Sequence, residues 1–274
     1  MGMRPEDLIN QSLQLVSPPA TYGKINALLN HPHSSADDIS SVIATDPTLT
    51  ARLLKVVNSP FYGFPSQIET ISRAITIIGS QELSNLALAT SVIESFKGIP
   101  AELIDMNTFW RNSLACALIA KKIADYAGQS PSERLFIAGL LHNIGALVLY
   151  QSVPELATKA LQQSIKNDED ILITERRVIG FNHTDAGLAL IKAWLLPPLF
   201  ESVIRDYRRP QQAQNFSIEV AIIHIADIIV RSDDPMADID PDISASLNLN
   251  QQRVDELLQQ ITDQLDDLSS VMTS

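Results

Sequence analysis

The sequence predicts an all-α protein of two packed helical subdomains. Three observations carry this. Apolar residues recur at three- and four-residue spacing in almost every segment. No stretch of useful length alternates with the period of a strand. Prolines, glycines and capping side chains punctuate the chain at helix-length intervals. The chain has 274 residues, 45% hydrophobic and 5% aromatic, enough for a large aliphatic core and for one or two domains.

Glu6 to Leu15 reads as a modest helix with Leu8, Ile9, Leu13 and the nearby Val16 on one face, stopped by Pro18-Pro19. Tyr22 to Leu29 is a second, ended by His31-Pro32. Ser35 caps a third, with Asp38 at the capping-box position and Ile39, Val42 and Ile43 as its stripe. Asp46-Pro47 is an N-cap followed by a first-turn proline, ahead of Leu49, Leu53, Val56 and Val57. Thr70 to Ile78 closes on Gly79, and Ser80 to Phe96 follows. Gly98-Ile99-Pro100 is the first subdomain boundary. Met106 to Ala127 is long and carries Trp110, Leu114, Leu118 and Ile123. Phe136 to Leu149 is the buried helix around which the rest is organised, with His142 and Asn143 in its middle. Glu155 to Lys166, Glu169 to Ile179 and His183 to Leu196 are helical, the last stopped by Pro197-Pro198. Phe216 to Val230 is the last core helix. Residues 232–249 read as an acidic linker. In the terminal amphipathic helix, residues 250–268, Val254, Leu258, Ile261, Leu265 and Leu268 form a coiled-coil-like seam that docks on the chain's own bundle or on a second copy.

Composition narrows function. A net charge of −12 and a pI near 4.8 repel phosphate backbones, so nucleic acid is not an expected partner. No uncharged run is expected to approach the ~20 residues of a membrane span. The first residues lack the apolar core of a signal peptide. Cys116 is the single cysteine, so no internal disulfide forms. These features point to a cytoplasmic protein.

Six polar residues share apolar faces: Asn112, His142, Asn143, His183, His224 and Asp227. Unpaired burial costs ~1–3 kcal/mol for each, so they need partners. One reading makes each a satisfied core group. The other gathers them at a site.

The motifs in order resemble the HDOD family, a divergent relative of the HD and HD-GYP metal-dependent phosphohydrolases. They are S-P-P, I-A-T-D-P-T-L-T-A-R-L-L-K-V-V-N-S-P-F-Y-G and I-S-R-A-I-T-I-I-G in the first half. F-W-R-N-S-L-A-C-A, G-L-L-H-N-I-G, G-F-N-H-T-D-A-G and H-I-A-D follow in the second. The similarity covers about residues 17–231. It implies an HD-like bundle over residues 104–231 packed against an N-terminal subdomain over residues 1–98. It also implies what has been lost. Catalytic relatives ligate metal with a His, a His-Asp doublet and a later Asp. Here Asn112 stands for the first His and Asn143 for the doublet's Asp, while His142 and Asp227 remain. His183 matches a further histidine of the cyclic-dinucleotide branch, whose His-His pair falls near Tyr207-Arg208. Losing one carboxylate beside a divalent ion is worth several kcal/mol, roughly 4 per unit charge pair at ~4 Å and a dielectric of 20. The resemblance therefore implies no metal, no cofactor and no hydrolysis, and a hydrogen-bond network of Asn112, His142, Asn143 and Asp227 in their place.

Arg205, Arg208 and Arg209 form a basic cluster, either a solvated helix end or a contact for a phosphate or acidic partner. Phe61-Tyr62-Gly63-Phe64 is expected to pack between the helical halves. His31 and His33 look like turn chemistry, and Cys116 like core. The resemblance implies a non-catalytic regulatory or scaffolding module in bacterial signal transduction. No receiver, cyclase or kinase domain is expected within these residues, so signalling proteins are the expected partners, with a homodimer through the C-terminal helix as another contact. The alternatives are a residual metal-dependent phosphohydrolase, or a nucleotide or cyclic-dinucleotide sensor using the cleft near His142, His183 and Arg208.

Overall fold

The computed structural model describes residues 3–11, 20–31, 33–96, 99, 101, 103–129 and 132–272. Among them there is no strand. The first group of helices is α1 (Pro5–Gln11), α2 (Ala20–Leu29), α3 (Ala36–Ala44), α4 (Pro47–Val57), α5 (Ile71–Ile78) and α6 (Ser80–Ser95). The second is α7 (Met106–Tyr126), α8 (Glu133–Leu141), α9 (Ile144–Ser152), α10 (Pro154–Asn167), α11 (Ile171–Val178), α12 (His183–Ala193), α13 (Pro198–Asp206) and α14 (Ser217–Arg231). Short α15 (Pro235–Asp238) and α16 (Pro241–Ser246) lead into α17 (Gln251–Met272).

Local chemistry sets the helix starts. Ser35 and Asp38 form a reciprocal capping box on α3. The Asp46 carboxylate accepts from the Leu49 N–H just ahead of Pro47, and the Thr70 hydroxyl accepts from the Arg73 N–H. Each satisfies an orphan amide, worth ~1 kcal/mol. The expected stop at Pro18-Pro19, the inward Leu13 and Val16, Pro32, and Gly98 and Pro100 of the expected boundary lie outside the described residues.

The core is continuous through both groups. α7 lies against α8 and α14, and α9 against α12. Three joints tie the halves. α6 packs on α8, and α17 crosses both α4 and α7. The Phe61 ring meets Phe136 with centroids 5.1 Å apart, so the aromatic loop does bridge the halves. α1 belongs spatially to the second group: it packs on α12 and α9, with Leu8 and Ile9 buried.

Five expectations need correction. The helix expected over Phe136–Leu149 is two helices, broken at His142-Asn143. There the His142 Nδ1 lies 2.6 Å from the Gly139 carbonyl, the group a continuous helix would offer to the Asn143 N–H. α13 forms between Pro197-Pro198 and Phe216, where no helix was expected; Pro198 starts it at the first helical position. Residues 232–249 are folded, burying Ile239, Leu247 and Leu249. In α17 the inward leucine is Leu257, while Leu258 is 39% exposed, and the seam lies on the chain's own α4 and α7. Arg111 and Asp266 pair at 2.7 Å along that contact. Finally, the run 135–154 carries no charged residue. The 20-residue segment Glu133–Ser152 passes for a membrane span by length and composition, but 83% of its apolar window is buried in the fold.

Candidate functional site

Glycine lets the helices approach closely enough to build the site. A Cβ on Gly139 would sit 2.7 Å from the Ala117 Cα, and one on Gly145 would sit 1.9 Å from the His183 carbonyl oxygen. Gly139 thus seats α8 on α7, and Gly145 seats α9 on α12. His142 lies at the break between them. It opens onto a cleft of about 330 Å³ whose lining includes Asn112, Cys116, Asn143, Arg208, Asp227 and Arg231.

His142 is buried, and both its ring nitrogens face oxygen. Nδ1 is 2.6 Å from the Gly139 carbonyl and Nε2 is 3.5 Å from Asp227 Oδ1. Only the imidazolium has a proton for each. Burial opposes that charge, but the Cys116 sulfur and the Asp227 carboxylate outweigh it and hold the imidazole well above its usual 6.5. Burial likewise opposes the Asp227 charge. His142, then Arg231 and Arg208, overcome it and hold the carboxyl well below its usual 3.8. Arg231 Nε donates to Asp227 Oδ2 at 2.8 Å. Both carboxylate oxygens thus face cationic groups.

The other expected site residues divide. Asn112 is exposed on the cleft rim, because the buried face of α7 runs through Phe109, Trp110, Ser113 and Leu114. It makes no hydrogen bond among the described residues. Asn143 Oδ1 is buried without a protein partner. The network expected of Asn112, His142, Asn143 and Asp227 is thus reduced to the His142–Asp227 pair. His183 stands in a second constellation, with Tyr207 in contact with both it and His142. Its backbone N–H and its Nδ1 both meet Glu175 Oε2, at 2.8 and 2.7 Å. Nδ1 therefore carries the proton, and Nε2 faces the Tyr207 hydroxyl at 3.3 Å. Arg208 Nε donates to the same hydroxyl at 3.3 Å, and the Tyr207 ring meets His142 edge-on at 5.0 Å. The Tyr207 carbonyl faces His224 Nδ1 at 2.8 Å, and burial holds that imidazole below its usual value.

Glu175, Tyr207 and Arg231 were not singled out as partners from sequence. A glutamate inside an apolar helix, like Glu175 in I-L-I-T-E, was the one available signal. Arg205, Arg208 and Arg209 line a second cleft, of about 230 Å³, together with Arg176. Arg208 lines both clefts.

The HD relatives' divalent metal can be tested against these donors. Among the described residues no group of three or more His, Cys, Asp or Glu side chains is gathered as a metal site. The one carboxylate in the cleft besides the α7 cap Asp105 is shared between an imidazole and a guanidinium. Asn112 and Asn143 add only neutral amides to the lining. These residues do not fit a divalent cation.

A model of the HDOD domain matches residues 15–210. The chain belongs to the HDOD family. One relative, an uncharacterized protein of Treponema pallidum (strain Nichols), is 24% identical over 215 residues, 78% of this chain. The chain spans 41% of that protein's length. Among solved structures, a protein of Shewanella amazonensis SB2B named as a candidate phosphohydrolase superposes with a TM-score of 0.76 at 22% identity, covering 95% of this HDOD chain and 98% of the other. A candidate signal transduction protein of Marinobacter aquaeolei VT8 gives 0.74 at 20% identity, covering 100% and 62%. These likenesses establish the shared fold.

Proposed function

We propose that this HDOD protein is a non-catalytic regulatory or scaffolding module in bacterial signal transduction that acts through protein partners. The observation that carries the reading is the state of Asp227. Its two oxygens face His142 Nε2 at 3.5 Å and Arg231 Nε at 2.8 Å. A metal ion entering there would have to displace the His142 proton and the Arg231 guanidinium from the carboxylate and would meet the permanent Arg231 charge, which leaves the usual water activation without a starting point. The name of the Marinobacter protein supports the signalling half of the reading. With acidic residues exceeding basic ones by 32 to 20, the fitting partners carry basic patches.

The test is elemental analysis of protein purified without chelator, joined to an assay with a chromogenic phosphodiester in added manganese. The expected result is less than stoichiometric metal and no turnover. Stoichiometric metal with turnover lost in Asp227→Asn would replace this reading with the hydrolase one.

A further inference from the structure

We propose that the cleft between α11, α12 and the end of α13 binds the phosphate of a small phosphomonoester, with Arg208 and Arg209 as its ligands. This does not depend on whether the His142–Asp227 cleft holds a metal.

The cleft is a positive spot in an acidic chain. Arg176, Arg205, Arg208 and Arg209 line it, with Asp185 and Asp206 as the only carboxylates in its wall among the described residues. Both carboxylates are taken. Arg176 pairs with Asp185 at 3.4 Å, and Arg205 grips both oxygens of Asp206, the closest contact being 2.8 Å. Two guanidiniums remain. Arg209 is exposed and its side chain has no partner among the described residues. Arg208 is half-buried, and only its Nε is engaged, on the Tyr207 hydroxyl. Its two terminal nitrogens meet no acceptor among the described residues. Asp227 and Asp170 favour its charge from a distance, but a half-buried guanidinium with its fork open suits a bidentate oxyanion.

Charge and size select the ligand class. Two guanidiniums without a direct carboxylate contact among the described residues match a phosphomonoester, which carries roughly −1.5 to −2 near neutrality. The volume of about 230 Å³ falls below the ~300–1,000 Å³ of drug-sized sites, so a phosphate with a small attached group fits and a dinucleotide does not. Leu172 and the 48%-exposed Ile173 wall one side, giving the attached group an apolar surface. Because Arg208 also lines the other cleft and helps hold the Asp227 charge, an anion drawn onto it weakens that hold.

The experiment is calorimetric titration of the full chain with inorganic phosphate, glycerol phosphate, adenosine monophosphate and a phosphoserine peptide. The variants are Arg209→Glu, Arg208→Gln and, as a control outside the cleft, Arg73→Glu. Glycerol phosphate or adenosine monophosphate is expected to bind with an affinity that falls with salt. Arg209→Glu is expected to weaken it about tenfold or more, a loss of ~1.4 kcal/mol, while Arg73→Glu leaves it unchanged. Arg209 is exposed and unpaired, so its variant remains informative even if Arg208→Gln fails to fold. No binding of any probe overturns the proposal, as does binding indifferent to Arg209→Glu. Tighter binding of the phosphoserine peptide than of either small phosphate would make the cleft a docking site for modified protein and also overturn it.

Discussion

Asp227 meets His142 across the junction of α8 and α14, with Oδ1 3.5 Å from Nε2. The two groups interact directly, and Arg231 closes the carboxylate's other side.

Breaking this pair is expected to destabilise the protein. His142→Ala removes a 6%-exposed side chain and leaves Asp227 with Arg231 alone. Losing one member of a buried pair costs about 3–5 kcal/mol at the upper end, and Arg231 offsets part of it. A loss of about 2 kcal/mol is expected, a fall of several degrees in Tm by calorimetry. An unchanged Tm would mean that the pair contributes nothing.

The pair also sets a pH signature. The His142 pKa is raised in the fold, so its contribution is complete below the ordinary 6.5 and fades as pH rises through the elevated value. The Asp227 pKa is lowered, so its contribution is complete above the ordinary 3.8 and fades as pH falls through the depressed value. The stability difference between the wild type and His142→Gln should be greatest between those two values and shrink toward alkaline pH. Urea midpoints measured from weakly acid to alkaline pH give the curve. His224, shifted the opposite way, contributes to both proteins and cancels in the difference.

Gly145 admits no side chain. In Gly145→Ala the new methyl would meet the backbone of His183 and Gly187, at 1.9 and 2.6 Å, and backbone cannot rotate away. Overpacking of this kind costs ~1–3 kcal/mol or more. The variant should melt well below wild type or fail to fold. Gly139→Ala, at 2.7 Å from the Ala117 Cα, should be milder. Equal stability of Gly145→Ala and wild type would contradict the close seating of α9 on α12.

Glu82 is the opposite case of a buried carboxyl. Its Oε1 accepts from the Tyr62 hydroxyl at 2.7 Å, and Oε2 is buried without a partner. Burial raises its pKa above the usual 4.5, against the pull of Tyr62. The fold therefore favours the neutral form, and stability is lost as pH rises through the raised value. Glu82→Gln should raise Tm at alkaline pH and have little effect below 4.5. A lower Tm for the variant at alkaline pH would show that Glu82 is a needed charge.

Much of the fold is legible because its signals are local. Ser35-x-x-Asp38, Asp46-Pro47 and Thr70 announce helix starts through chemistry confined to one turn. Likewise Asn112, His142, Asn143 and Asp227 stand out because polar residues interrupt or edge apolar helices. What sequence does not disclose is long-range or degenerate. Leu257 and Leu258 are adjacent, and a three-four pattern accepts either until a neighbouring helix selects one. The break at His142-Asn143 is invisible to periodicity, since two residues outside the helices barely alter the apolar count. Glu175 reaches His183 eight residues on, and Tyr207 joins His183 and His142 from two other segments; such pairings exist only once the bundle is closed.

The crossing of α17 over α4 and α7 has a mechanical consequence. Sliding one half past the other would peel Val254, Leu257, Ile261, Leu265 and Leu268 away from a surface they share. With Phe61 lodged on Phe136 at a separate point, no single residue can serve as a pivot. A force applied to one half is therefore carried to the other as a displacement of the whole block, with no hinge to open.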